Sequence, residues 1–155
     1  MLHIRQSTLA DLDLIVALNV ALAAESEQLQ LDADTLREGV RALLEGRAPG
    51  RYWLAQLDGR VVGQLLITYE WSDWRNAMVW WIQSVQVVPD ARTQGVFRAL
   101  YAHARREAQA AGAAGLRLYV DNSNVRAQAV YAAVGMHGDH YRVFEDMFEA
   151  IPRLL

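Results

Sequence analysis

The chain contains no cysteine. That absence removes disulfides, thiolate metal ligands and a cysteine nucleophile together, and it fits a reducing compartment. The four histidines are scattered and form no metal-ligand pattern, so no metal is expected. No apolar run is long enough to cross a membrane, and the opening Met1-Leu2-His3-Ile4-Arg5 is too polar for a secretory signal. Basic residues interleaved with aromatics are also missing and the net charge is only −3, so nucleic acid is not an expected partner. What remains is a soluble globular chain whose default location is the cytoplasm. Its 155 residues, 53% of them hydrophobic, suit one domain over 1–155 with a real core.

What is present centres on Val85 to Tyr101, V-Q-V-V-P-D-A-R-T-Q-G-V-F-R-A-L-Y. It starts as an apolar strand, halts at Pro89, crosses a short polar loop and becomes a helix opening on Gln94-Gly95-Val96-Phe97. The first amides of a helix have no intrahelical acceptor and carry the positive end of its dipole. A glycine there lets a ligand approach the main chain, which suits a phosphate, and Arg92 and Arg98 flank the turn. An ordinary strand-loop-helix connection with solvated arginines is the plain alternative.

The segment R-T-Q-G-V-F, with V-V-P-D before it and R-A-L-Y after it, resembles the acyl-CoA-binding signature of the GCN5-related N-acetyltransferases (GNAT). That signature is Gln or Arg, two residues, Gly, one residue, then Gly or Ala. Arg92 and Gly95 match it and Phe97 departs from it, since a large side chain there restricts the approach of a diphosphate. The resemblance implies that acetyl-CoA is the co-substrate, with its pyrophosphate on amides of Arg92, Thr93, Gln94, Gly95, Val96, Phe97 and Arg98. It also implies that the preceding strand, at Gln86, Val87 and Val88, splays from its neighbour to receive the pantetheine arm.

The remaining chain reads as alternating elements. Leu2 to Gln6 alternates as a strand, and Thr8 with Asp11 forms a capping-box pattern before a helix from about Leu9 to Ala24. Glu25 to Gln30 interrupts it, and Asp34 caps a second helix with Leu36, Val40, Leu43 and Leu44 on one face. Asp58-Gly59 between two apolar runs is a hairpin signal. Strands are expected to Tyr69 and from about Met78 to Val88, then the helix after Gly95, a strand at Leu116 to Val120, a helix from Asn124 to Gly135, and a terminal strand within His140 to Phe148. The order β-α-α-β-β-β-α-β-α-β gives an α/β fold: a mixed, mostly antiparallel sheet with helices on both faces.

The run from Asn124 to Met136 resembles the second conserved element of the same family: Asn, a helix carrying Ala and Tyr, then Gly and a large apolar residue. By that resemblance Asn124 contacts the pantetheine arm and the Tyr131 hydroxyl lies near the thioester sulfur. On residue chemistry alone, Asn124 is equally a helix cap and Tyr131 equally a packing aromatic. A tyrosine phenol ordinarily titrates near about pH 10, so it stays protonated at neutral pH and can supply a proton to a leaving thiolate.

The implied reaction is acetyl transfer from acetyl-CoA to an amine by direct attack, which needs no cysteine. The strand Trp80-Trp81-Ile82-Gln83-Ser84-Val85 carries no carboxylate, so Gln83 is expected to hold a relaying water. Glu70 is the first candidate for base or amine anchor, with Asp73, Glu25 and Glu27 behind it. Glu25, Trp71, Asp73 and Trp74 are read as candidates to bind a small cationic or polar amine, the tryptophans through their ring faces. Packing over a sheet edge, or a homodimer contact, is the competing use of the tryptophans. Three other functions fit the same residues: a non-catalytic acyl-CoA sensor, a protein N-acetyltransferase, or an enzyme with a different acyl donor.

Overall fold

The computed structural model describes residues 1–154. Five strands and four α-helices follow one another as β1 (Leu2–Gln6), α1 (Leu12–Glu27), α2 (Ala33–Leu44), β2 (Arg51–Leu57), β3 (Arg60–Ser72), β4 (Ala77–Val87), α3 (Val96–Ala110), β5 (Gly115–Arg117) and α4 (Val125–Ala133). The strands lie in sequence order in one sheet. β1 through β4 pair antiparallel, whereas β5 joins β4 in parallel after the α3 crossover. The mixed, mostly antiparallel sheet anticipated from the sequence is therefore formed.

Local chemistry explains most boundaries. Thr8 and Asp11 do make a capping box, at a 3-10 turn over Leu9–Asp11 that leads into α1. Asp11 also accepts two bonds from the Arg5 guanidinium, at 2.8 and 2.9 Å, pinning the start of α1 to β1. α2 is capped by Asp32, not Asp34: its carboxylate accepts from the Thr35 amide at 2.9 Å, which places Asp34 inside the first turn. The β2–β3 turn has positive φ at both Asp58 (51°) and Gly59 (84°), the geometry a two-residue hairpin of right-handed strands needs.

The sheet separates two apolar layers. On one face α3 contributes Val96, Leu100, Ala104 and Ala108 to a cluster with Trp53, Val62, Leu65, Ile67 and Trp80. On the other, Leu12 and Ile15 of α1 and Val40 of α2 pack on Tyr52, Leu54 and Leu66. Gly63 sets how closely α3 approaches, because a Cβ there would lie 2.9 Å from Val96 Cγ1.

The C-terminal quarter departs from the sequence reading. β5 ends at Arg117, where Leu116 to Val120 was expected, because β4 has no pairing with it beyond Trp81. The expected terminal strand within His140 to Phe148 does not form. That stretch makes no ladder with the sheet, and both sides of its alternation face water, with Tyr141 80%, Val143 54% and Phe144 94% exposed. Alternation specifies a strand only when one face has something to cover. The chain end returns to the α1–α2 link instead, where the Gln30 amide donates to Pro152 O and the Leu154 amide to Gln28 O, both at 2.8 Å.

Candidate active site

Where β4 and β5 part, a cleft opens. The two strands pair only at Val79, Trp80 and Trp81 against Gly115, Leu116 and Arg117. From Ile82 to Val87, β4 keeps β3 on one side and, among the described residues, has no strand on the other. The cleft encloses about 1000 Å³ and runs from this open edge to the start of α3, with α1 on one wall and α4 on the other. That volume lies at the upper end of what small-molecule sites use.

β4 is not regular along the cleft. Its register with β3 slips between Gln64 and Leu66, which face Gln86 and Gln83, so two residues of β4 stand against one of β3. Ser84, in this bulge, has φ of +50°, a left-handed value uncommon outside glycine. The fully buried Gln64 holds it there, donating from Nε2 to the Ser84 carbonyl at 3.0 Å while its own Oε1 has no partner. Below it, Asn19 of α1 donates to the buried Tyr52 hydroxyl at 3.3 Å, and burial pushes that phenol up. The bulge lifts backbone groups out of the β3–β4 ladder at the rim of the cleft.

At its far end the cleft meets the loop before α3. Thr93 (φ 68°) and Gly95 (φ 78°) both lie in the left-handed region, and Gly95 is the N-cap of α3. Alternating chain reversal of this kind turns successive amides inward into a concave anion site. The first cap bond accepted by Gly95 O comes from the Ala99 amide, leaving the amides of Val96, Phe97 and Arg98 outside the helix ladder. A Cβ on Gly95 would meet nothing within 4 Å, so the glycine is demanded by the backbone angle and not by space.

The structure brings Gln83, Gln86, Val87, Arg92, Thr93, Gly95, Val96, Phe97, Arg98, Asn124 and Tyr131 to this one cleft, with Glu25 and Glu27 at the end of α1. Val88 and Gln94 belong to the same loop, Gln94 donating from Nε2 to Asp90 O at 3.1 Å. Arg92 is turned into the protein. Its Nε donates to Val87 O at 3.0 Å and its Nη2 to Glu25 at 2.6 Å, welding the loop to α1. That pairing holds the Glu25 carboxyl below its ordinary range, which makes it a poor proton acceptor. Gln83 donates to Thr68 Oγ1 at 2.6 Å. Among the described residues no side chain donates to the Glu27 carboxylate.

Phe97 has a use that the signature does not suggest. Its ring meets Tyr131 edge-on, centroids 5.5 Å apart, and lies 6.0 Å from Tyr101, so it joins α3 to α4 across the cleft. Burial raises the Tyr131 phenol further above neutrality. Asn124 caps α4 through Oδ1, accepting from the Ala127 amide at 3.1 Å while lining the cleft.

Glu70, Trp71, Asp73 and Trp74 go elsewhere. They line a separate recess of about 180 Å³ with Arg117 and Tyr141. Glu70 is in register with Val79, four residues from Gln83, or about 13 Å along the strand. Its carboxylate accepts from Arg117 at 2.6 Å and from Trp81 Nε1 at 3.3 Å. The sequence reads Glu70 to Trp74 as a loop that could fold over the acceptor site, whereas β3 runs on to Ser72 and carries Glu70 and Trp71 away along the sheet. Glu27 ranks low in the sequence for the converse reason: only the extension of α1 to Glu27 carries that carboxylate over the cleft.

A splayed parallel pair leading to a helix-start amide nest, with a phenol and a carboxamide on the opposite wall, suits an acyltransferase. The chain belongs to the GNAT acetyltransferase family: the profile of the "Acetyltransferase (GNAT) family" matches residues 19–136. It is accordingly an acyltransferase. Among solved structures it is similar to a possible acetyltransferase from Clostridium difficile 630, at 37% identity and TM-score 0.87, covering 97% of this chain and 99% of that one. It is similar in fold to a predicted acetyltransferase with acetyl-CoA from Clostridium acetobutylicum, at 15% identity and TM-score 0.76, over 94% and 96% of the two chains. AAC(6')-Iy in complex with the bisubstrate analog CoA-S-monomethyl-acetylneamine shares the fold at 17% identity and TM-score 0.75, over 95% and 98%. No curated protein matches the sequence.

Proposed function

We propose that the chain, acting as one domain, moves an acetyl group from acetyl-CoA to the primary amine of a small cationic or polar acceptor by direct attack. The observation that carries this reading is the continuity of the open β4 edge with the amides at Gly95, which suits a ligand having a linear amide arm and a diphosphate. The cleft volume and the strand-long open edge fit acetyl-CoA, and the inward-turned loop amides supply donors where its diphosphate would lie. A neighbour of the same fold was solved with acetyl-CoA.

In this reading each residue has one task. The Gly95 to Arg98 amides hold the diphosphate, and Asn124 and the free β4 edge at Gln86 and Val87 hold the arm. Backbone donors at the Ser84 bulge face the thioester carbonyl and stabilise the oxyanion as the amine nitrogen attacks. The carbon–sulfur bond breaks, and the thiolate takes the proton of the Tyr131 phenol, which solvent later restores. The proton lost by the amine passes through water held at Gln83 to Glu27, a cleft carboxylate with no salt bridge among the described residues. Glu70 has no part in this path, because it is tied to Arg117 at the other end of β4. Glu27 and Asp121 at the cleft favour a cationic acceptor, as does a neighbour holding an acetylated neamine analogue.

The test pairs Tyr131→Phe with calorimetry and a CoA-release assay on polyamines, amino acids and aminoglycosides. Turnover is expected to fall by roughly 10²–10⁴-fold with CoA binding retained. Undiminished turnover in Tyr131→Phe, or acetylation of neutral and anionic amines alone, would reject the proposal.

A further inference from the structure

Four elements bring buried polar groups together behind the β4 bulge. Gln64 of β3, fully buried, donates to the Ser84 carbonyl at 3.0 Å. Tyr52 of β2 lies opposite Leu66 of β3, which lies opposite Gln83, bringing the phenol within hydrogen-bonding reach of Ser84. Asn19 of α1 closes the group from the helix side, donating to the Tyr52 hydroxyl at 3.3 Å. Asn19 and Tyr52 are buried, so the phenol has little access to solvent.

Hydrogen-bond accounting gives each of these groups a direction. Asn19 Nδ2 also donates to Ile15 O at 3.1 Å, which fixes the amide with its nitrogen toward both oxygens. The Tyr52 oxygen is therefore an acceptor on that side. Its own hydrogen is present at neutral pH, because burial raises the phenol above its ordinary value and the Asn19 and Ser84 contacts offset only part of that rise. A buried O–H left unpaired is costly, and the hydroxyl placed against this one is Ser84. Ser84 Oγ thus accepts from Tyr52, and the serine's own hydrogen turns away from the core. The open side of Ser84 is the cleft. The backbone gives a second reason to look at this residue. Its φ is +50°, where glycine is free and asparagine is the better tolerated side chain, yet the position carries a serine. Strain of this kind persists at functional sites when the side chain held there is in use.

We propose that the Ser84 hydroxyl is a catalytic hydrogen-bond donor to the thioester carbonyl oxygen, aimed by Tyr52 and Asn19 as positioning residues. This role rests on the acetyl transfer assigned above and adds a side-chain donor to the backbone donors of the bulge. As the amine nitrogen attacks the carbonyl carbon, the carbon–oxygen double bond becomes single and the oxygen takes the electron pair. Ser84 keeps its proton throughout. Its hydrogen bond strengthens as charge gathers on the oxygen and slackens when the carbon–sulfur bond breaks and the carbonyl reforms.

Infrared spectra of bound acetyl-CoA, labelled with carbon-13 at the thioester carbonyl, read this hydrogen bond with no acceptor present. The labelled band is expected to move to higher frequency in Ser84→Ala. With an amine that the wild type acetylates, Ser84→Ala is expected to lose roughly 10²–10³-fold in turnover, kcat and kcat/KM falling together. Ser84→Gly keeps the bulge, since glycine adopts the left-handed region freely, and is expected to lose as much. Tyr52→Phe should lower turnover in the wild-type background and add no loss to Ser84→Ala. Equal costs of Tyr52→Phe in both backgrounds would overturn its positioning role. Bound acetyl-CoA with an unmoved band in Ser84→Ala, or full turnover in Ser84→Gly, would overturn the role of Ser84 and leave the assigned reaction standing. Failure of the wild type to bind acetyl-CoA would remove both.

Discussion

Gly95→Ala isolates the anion nest from everything else in the fold. The substitution adds a methyl where nothing lies within 4 Å, so no clash is created. It does place an alanine at φ of +78°, which costs about 1–2 kcal/mol for a residue bearing a Cβ. That cost must surface in one of two places. If the loop keeps its shape, unfolding loses the full amount, which for a chain this long lowers the melting temperature by about 2–8 °C. If the loop relaxes, the amides turn away and coenzyme A binds roughly 5–30-fold more weakly. Thermal unfolding without ligand and calorimetry with coenzyme A together account for both. Gly95→Asn should recover most of the loss, because asparagine tolerates the left-handed region better than other side chains. Unchanged stability and unchanged affinity in the alanine variant would refute the reasoning, as would an asparagine variant no better than alanine.

Two further outcomes follow from buried polar groups. Gln64→Met removes the donor to the Ser84 carbonyl and, with it, a buried oxygen that has no partner. These effects oppose each other at about 1 kcal/mol apiece, so the melting temperature should barely move while turnover falls at least tenfold as the bulge loses its tether; equal losses of stability and turnover would count against a positioning role. His103 packs edge-on against Trp53 at 4.2 Å, and burial lowers its pKa below the ordinary histidine value. A depressed folded-state pKa contributes stability above the unfolded value near 6.5 and loses it as pH falls toward the folded one. Denaturant midpoints should therefore drop as pH falls below about 6.5, and His103→Phe should flatten that part of the profile.

The order of elements and the anion loop were legible in the sequence because they are local. Alternation gives the strands, Asp58-Gly59 gives the hairpin, and Gly95 behind an apolar strand gives the turn. The capping pattern of Thr8 and Asp11 was equally readable. Pairing was not. Glu70 reads as part of the loop after Tyr69, yet β3 runs on to Ser72 and its register puts Glu70 opposite Val79 and gives it to Arg117. The bulge at Ser84 and the Gln64 tether depend on a slip between β3 and β4 that no local pattern announces. Phe97 reads as a departure from a signature until tertiary packing sets it against Tyr131. The stretch from His140 to Phe148 is the sharpest case. Its strand pattern is a local property, whereas a strand exists only where a second backbone supplies the other half of each hydrogen bond. Spacing and composition determined which groups this chain could bring to a thioester and an amine. Which of them meet was decided by register and helix length, since those are set by contacts between residues far apart in the chain.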